Sequence, residues 1–367
     1  MLYTLKDAGY EAYLVGGGVR DLLAGLQPKD FDVATSAHPE EIRKAFRSCR
    51  LVGRRFVIAH VRMGDEIVEV ATFRGPITDS HERDETGRIL SDNVYGTLET
   101  DAFRRDFTVN ALYYDIRDFA IVDFAGGVDD LRAGRLRLIG DPELRYREDP
   151  VRMLRAIRIA SKLGFAISPE AAKPIHRLAP LLGEIPPARL FDEIVKLLLS
   201  KQAFANFDGL RRHGLFGILF PDIETALIED VAAQELIRQA LLNTAARLER
   251  DASVTPAFLY AALLWPAVRL RFAYLKSQEG HPEMVALAQS ADEALARQAL
   301  RVVIPKRFSL PMREIWLLQP RFESRRGARA KRLLAHPRFR AAYDFLLLRG
   351  QAGEPGVHEL AEWWTQA

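Results

Sequence analysis

Asp30 and Asp32, separated by one residue in the run Lys29-Asp30-Phe31-Asp32-Val33-Ala34-Thr35, are the side chains best placed to hold a divalent cation. The run reads as a strand. Strand side chains alternate, so both carboxylates are expected on one face and Phe31 in the core on the other. Two adjacent carboxylates raise each other's pKa unless a cation lies between them. Mg²⁺ takes few carboxylates and completes its shell with water and phosphate oxygens, so the pair points to phosphate chemistry. A D-x-D pattern alone is common on surfaces, and its neighbours must decide.

Leu14-Val15-Gly16-Gly17-Gly18-Val19-Arg20-Asp21 precedes the aspartates and reads as a strand, a glycine turn and a helix start. Gly17 and Gly18 would let backbone amides approach a phosphate, and Arg20 could clamp a triphosphate. The run fits neither G-x-x-x-x-G-K-[ST] nor G-x-G-x-x-G; phosphate binding is the favoured reading, with a glycine turn serving only tight packing as the alternative. Glu69 interrupts an otherwise apolar strand, where an unpaired acid is costly to bury. It is either a third metal-site acid or an arginine's partner. Asp106 competes for that role, following Arg104 and Arg105, which can neutralise phosphates. Further on, Arg152, Arg155 and Arg158 recur every third residue of a helical run and share one face. Asp149 reads as that helix's N-cap, with Pro150 at its first position. Alternatively, Asp149 as acceptor and an arginine as donor read a base edge, while the other arginines meet phosphate.

The elements that position these residues fall into two halves. Residues 10 to 140 hold short β-type runs, including a hairpin formed by FVIAHVR and EIVEVATFR around Met63, Gly64 and Asp65. Residues 75–93 are polar and contain Gly and Pro, as expected of a mobile lid. Residues 145 to 349 repeat apolar residues at helical spacing. Pro186-Pro187 and Pro311 mark helix starts, and TPAFLYAALLW is a buried helix expected to stop at Pro266. The expected fold is α+β, a small mixed sheet followed by helices. A chain of 367 residues suits two or three domains.

No run approaches 18 uninterrupted apolar residues, no signal peptide is evident, and the single Cys49 excludes an internal disulfide. A cytoplasmic protein without a membrane segment is expected. Net charge is only +3, yet twelve Lys or Arg against two acids between Arg301 and Arg340 give that window +10. Such an excess is a footprint for a polyanion, with a solvated helix face as the alternative. Lys306, Arg307, Arg325, Arg326, Arg329, Lys331 and Arg332 are its candidate RNA contacts.

Taken in order, LVGGGVRDLL, KDFDVAT, EVATFR, RRDFTVNAL, DFAGGVDDL and REDPVRMLRAIR resemble the class II nucleotidyltransferase family, which holds tRNA CCA-adding enzymes and bacterial poly(A) polymerases. The resemblance implies a nucleotidyltransferase head over 1–142, a helical neck over 143–205 and a helical body over 206–367. It implies that Asp30 and Asp32 hold two Mg²⁺ and that Glu69 or Asp106 adds an acid. It further implies that Gly17, Arg20 and Arg105 contact phosphate or sugar and that Asp149, Arg152, Arg155 and Arg158 frame the base. CRLVGRRFVIAHV, IPPARLFDEIVKLL, VVIPKRFSLPMREIW and HPRFRAAYDFLLLR resemble the poly(A) polymerase branch, and no His-Asp dipeptide occurs among the eight histidines. The expected activity is template-independent transfer of AMP from ATP to single-stranded RNA 3′ ends without sequence preference. CCA addition to tRNA is the nearest alternative, and non-catalytic RNA binding a further one.

Overall fold

The computed structural model describes residues 1–53, 56–76 and 93–366. The expected lid falls almost wholly on residues 77–92, which lie outside the described residues. By contact the chain divides into two compact units, Met1–Leu178 and Ala179–Ala367.

The first unit is built on a seven-stranded sheet. Its strands are β1 (Ala12–Val15), β2 (Asp32–Thr35), β3 (Cys49–Val52), β4 (Ile58–Met63), β5 (Glu66–Thr72), β6 (Leu112–Asp115) and β7 (Ala120–Asp123), in the spatial order β3-β4-β5-β2-β1-β6-β7. The sheet is mixed: β2 and β5 run parallel and every other pair is antiparallel. The expected hairpin is present, closed by Gly64-Asp65, with Met63 inside the strand and paired to Glu66. Helices α1 (Leu2–Asp7) and α3 (Pro39–Ala45) cover one face, where Leu5 and Ile42 meet Val33, Ala59, Val61 and Val70. The other face carries the acids. Helix α2 (Gly17–Leu23) follows β1, and α4 (Leu98–Arg104), α5 (Gly127–Arg132), α6 (Pro142–Glu148) and α7 (Val151–Leu163) complete the elements used below.

Three local expectations are corrected here. The strand begins at Asp32, so Asp30 and Phe31 form its lead-in, and Phe31 is 40% exposed rather than buried in the core. Its ring lies over Gly18 instead, where an added Cβ would sit 3.1 Å from Phe31 Cδ1 and 3.1 Å from the Asp30 carbonyl oxygen. Glu69 is exposed, because the apolar alternation of β5 puts Val68 and Val70 inward and leaves Glu69 on the open face. Finally, α7 begins at Val151 with Pro150 in the cap position, so Asp149 stands one residue outside it and ends α6.

The second unit is all helical. Its longest helix, Pro256–Ser277, runs straight through Pro266, and Lys306–Leu318 likewise contains Pro311. Both prolines were expected at helix boundaries; packing of the flanking turns holds the helix across the missing N–H. Pro256–Ser277 is long and apolar enough to cross a membrane by length and composition, but 61% of its apolar window is buried within the protein. It is the axis of this core: Trp316 is fully buried and donates its Nε1 hydrogen to the Ala261 carbonyl at 3.0 Å, and Phe191 stacks on Tyr260. Helix Gly327–Leu334 turns Ala330 and Leu333 inward and leaves Arg329, Lys331 and Arg332 exposed. Trp316→Ala removes this volume and its hydrogen bond together, and should lower stability by about 3–5 kcal/mol in equilibrium urea unfolding.

Candidate active site

The register of the sheet brings the acids together. Asp32, the first residue of β2, pairs with Val15 at the end of β1 and with Glu69 in β5. Directly paired residues project to the same face, so the Asp32 and Glu69 carboxylates are cross-strand neighbours. Burial first, then the charges of Glu69 and Asp30, push the Asp32 carboxyl above its ordinary pKa, while Arg105 opposes them. A cation among these acids would reverse that shift, and the hard oxygen donors suit Mg²⁺ completed by water and phosphate oxygens. Among the described residues no three His, Cys, Asp or Glu side chains gather closely enough to enclose a cation unaided.

The glycine turn has steric reasons for its composition. Gly16 has φ +76°, a backbone conformation that side chains disfavour. An added Cβ there would lie 3.5 Å from Arg105 Nη1 and 3.8 Å from Asp32 Oδ2, so Arg105 and Asp32 converge on this turn. Gly18 is pressed against the Asp30-Phe31 backbone, as described above. At Gly17 an added Cβ would lie 3.6 Å from Arg20 Nη2, with no closer neighbour.

Arg105 is aimed by a buried acid that sequence reading did not single out. Asp101 accepts from Arg105 Nη2 at 3.0 Å, from Arg74 Nε at 2.9 Å and from the Tyr113 hydroxyl at 2.7 Å. Arg105 Nε also donates to the Tyr113 oxygen at 2.9 Å. Burial alone would raise Asp101, but Arg105, Arg74 and the Tyr113 hydroxyl hold it well below the usual carboxylate range. The residual signal in sequence was the spacing of four between Asp101 and Arg105, the helical ion-pair distance.

Arg20 and Asp106 belong to a second network. Arg20 is buried; its Nε and Nη2 donate to Asp21 Oδ1 at 2.9 and 2.6 Å, and Nη1 donates to Asn110 Oδ1 at 2.6 Å. Lys162 holds the other oxygen of Asp21 at 2.5 Å. The Asn110 amide donates to Asp106 Oδ1 at 2.9 Å, and Arg155 Nε donates to Asp106 Oδ2 at 2.7 Å. Burial opposes ionisation of Asp106, yet Arg155, then Asn110, hold its carboxyl well below the usual range. Asp106 is thus an ionised structural acceptor between the two arginine systems, while Glu69 is the acid in register with Asp32. Asn110, within RRDFTVNAL, is the residue the reading passed over.

The arginine stripe is present as one half-buried face: Arg152, Arg155 and Arg158 are intermediate in exposure while Met153, Leu154, Ala156 and Ile157 are buried. Arg152 Nη1 is fixed by the Arg145 carbonyl at 2.6 Å and Glu148 Oε2 at 2.9 Å. Arg145 is buried below it, and burial, then Arg152, pull its guanidinium down to about 10. The DFAGGVDDL run is structural: Asp123 accepts from the amides of Gly126, Gly127 and Val128 at 2.9, 3.0 and 2.9 Å.

In the second unit, Lys306, Arg307, Arg325, Arg326, Arg329, Lys331 and Arg332 are all exposed, and among the described residues none has a carboxylate partner. Arg313, Arg338 and Arg340, counted in the same window, are neutralised by Asp292, Glu314 and Asp344. The available excess is therefore smaller than composition suggests, and it sits in the seven residues named together with Arg301 and Arg321, which are also exposed.

Comparison with known proteins adds to this geometry. Residues 12–137 match the family described as "Poly A polymerase head domain", residues 164–227 the "Probable RNA and SrmB-binding site of polymerase A", and residues 279–367 the "Polymerase A arginine-rich C-terminus". Poly(A) polymerase I of Salmonella typhi is 50% identical over 100% of this chain and 81% of its own length. The CCA-adding enzyme of Lactobacillus helveticus is 41% identical over 56% of this chain and 51% of its own. Among solved structures, the Bacillus stearothermophilus CCA-adding enzyme in complex with CTP is similar with a TM-score of 0.65 and 28% identity, over 100% of this chain and 80% of that one.

The Asp101 cluster makes a pH-dependent contribution of defined sign. Its depressed carboxyl adds stability that is fully present above the ordinary carboxylate pKa of about 4 and is lost as pH falls towards the folded-state value. Asp101→Asn should cost about 3–5 kcal/mol at neutral pH. Urea unfolding from pH 7 to 3 should show the difference from the parent shrinking on acidification.

Proposed function

This chain belongs to the bacterial poly(A) polymerase family of nucleotidyltransferases and extends RNA with adenylate from ATP, and we propose that Asp30 and Asp32, with Glu69 beside them, form its catalytic centre. The observation that carries this is the register Asp32↔Glu69, which places repelling acids beside a glycine turn on which an arginine nitrogen also converges. Nucleotidyltransferases of this kind use divalent metal ions. In this reading Asp30 and Asp32 would hold two Mg²⁺, which would supply Lewis-acid activation of the RNA 3′ hydroxyl and charge neutralisation on the departing pyrophosphate.

The chain's own residues do the positioning. Arg105 has Nε and Nη2 committed to Asp101 and Tyr113, which presents Nη1 over Gly16 towards the nucleotide's phosphates. Gly17 leaves room for those phosphates against the turn, whereas the space at Gly18, a phosphate contact by expectation, is taken by the Asp30-Phe31 lead-in. The incoming 3′ hydroxyl oxygen attacks the α-phosphorus, the bond to the bridging oxygen breaks, and pyrophosphate leaves. Arg152, fixed through Nη1, keeps Nε and Nη2 for the base edge, and Asp149 supplies the acceptor. Arg155, held by Asp106, and Arg158 line the same helix face. Glu69, rather than Asp106, is assigned as the third acid, because Asp106 is fully engaged by Arg155 and Asn110. The basic residues of the second unit grip the RNA backbone without reading sequence.

The rival is CCA addition, whose enzymes share the fold; identity along the whole chain favours adenylation. Offered CTP alone, a tRNA ending at its discriminator base should remain unextended, whereas ATP should yield a long homopolymer. Incorporation of two cytidines would reverse the choice.

Asp32→Asn should lower AMP incorporation at least about a thousandfold while retaining RNA affinity. Its effect on stability has the opposite sign. The raised carboxyl binds its proton more readily in the folded state, so its ionisation opposes folding at neutral pH, and removing it should raise the melting temperature. A variant that retains activity would remove the assignment.

A further inference from the structure

The row of paired residues containing the acids does not end at Glu69. In register, Asp32 pairs with Glu69, Glu69 with His60, and His60 with Arg50 of β3, the edge strand. All four therefore project from the same face of the sheet. Arg62 lies two residues beyond His60 on that face, and His60 Nε2 is 3.5 Å from Glu69 Oε1. Charge along the row thus changes from acidic at β2 and β5 to basic at β4 and β3. The basic end is concave: Arg47, Arg50, His60, Arg62 and Ile67 line a groove of about 630 Å³. Among the described residues neither Arg47 nor Arg50 has a carboxylate partner, and Arg62 donates only to the Gly64 carbonyl at 3.1 Å. Exposed, unpaired arginines on an edge strand guard against strand pairing, which accounts for one of them. That role needs no concavity and no continuity with a catalytic row.

We propose that this groove binds phosphodiesters of the RNA strand whose 3′ end reaches Asp32, which gives the first unit its own RNA contact. The inference rests on the adenylation reading above. Arg50 stands three strand spacings from Asp32, on the order of 14 Å. That separation sets the groove apart from the nucleotide's own phosphates, which lie on the Gly16 side of the acids. The exposed Ile67, between Glu69 and the turn, offers an apolar surface to a base or ribose.

The test is the full-length Arg50→Ala/Arg62→Ala variant, measured beside Arg50→Lys/Arg62→Lys and the parent with an oligoadenylate primer over a salt series. The alanine variant should raise the KM for RNA about tenfold and flatten the slope of log affinity against log salt by about 1.4, the value for two lost contacts to a single strand. Its KM for ATP and melting temperature should match the parent, and the lysine variant should bind RNA as the parent does. An unchanged RNA KM and salt slope in an active parent background would overturn the groove assignment alone. Weakened inhibition by pyrophosphate with unchanged RNA affinity would also overturn it, reassigning the groove to the leaving group. A parent that neither binds nor extends RNA would overturn both readings.

Discussion

At the start of β2, burial and then the charges of Glu69 and Asp30 oppose ionisation of Asp32. Carboxylates so arranged need their positions imposed from outside, because their own interaction drives them apart. The sheet imposes them. A one-residue slip between β2 and β5 would turn Asp32 or Glu69 to the opposite face, where α1 and α3 pack. The apolar residues Val33, Val68 and Val70 thus fix the acids by being buried on the other side.

The arginines follow the same logic with opposite charge. Arg105 is locked by Asp101 and Tyr113, so that few orientations remain to be lost when an anion arrives; Arg20, expected as a triphosphate clamp, is buried with all three guanidinium nitrogens committed to Asp21 and Asn110. Lys162, Asp21, Arg20, Asn110, Asp106 and Arg155 form one continuous run of charge-assisted hydrogen bonds. It ties the glycine helix α2 to the arginine helix α7. The two helices that carry the glycine turn and the arginine face are thereby held by one polar framework, which a low-dielectric interior strengthens.

Much of this was legible in sequence. The Gly64-Asp65 hairpin, the α2 turn and the arginine stripe of α7 follow from local periodicity, and the structure contains all three. What escaped was set by partners distant in the chain. Asp101 lies 27 residues from Arg74 and 12 from Tyr113, and only the closed sheet brings them together. Phe31 was expected in the core because a period of two was extended one pleat too far, into a lead-in that Gly18 accommodates. Pro266 and Pro311 were read as helix boundaries from local preference; tertiary packing carried both helices through. The count of basic residues from Arg301 to Arg340 overstated the free charge, since Asp292 and Asp344 lie outside that window and neutralise part of it.

The parallel β2–β5 ladder is the one non-antiparallel contact in the seven-stranded sheet, and it alone aligns Asp32 with Glu69. Parallel neighbours cannot be joined by a tight turn; here α3, β3 and β4 lie in the chain between β2 and β5. Closing such a long crossover is entropically slow. A partly synthesised or partly folded chain therefore has its aspartates and its glutamate far apart. The alignment of these acids thus arrives only with the closed sheet, which ties catalytic competence to structural completeness.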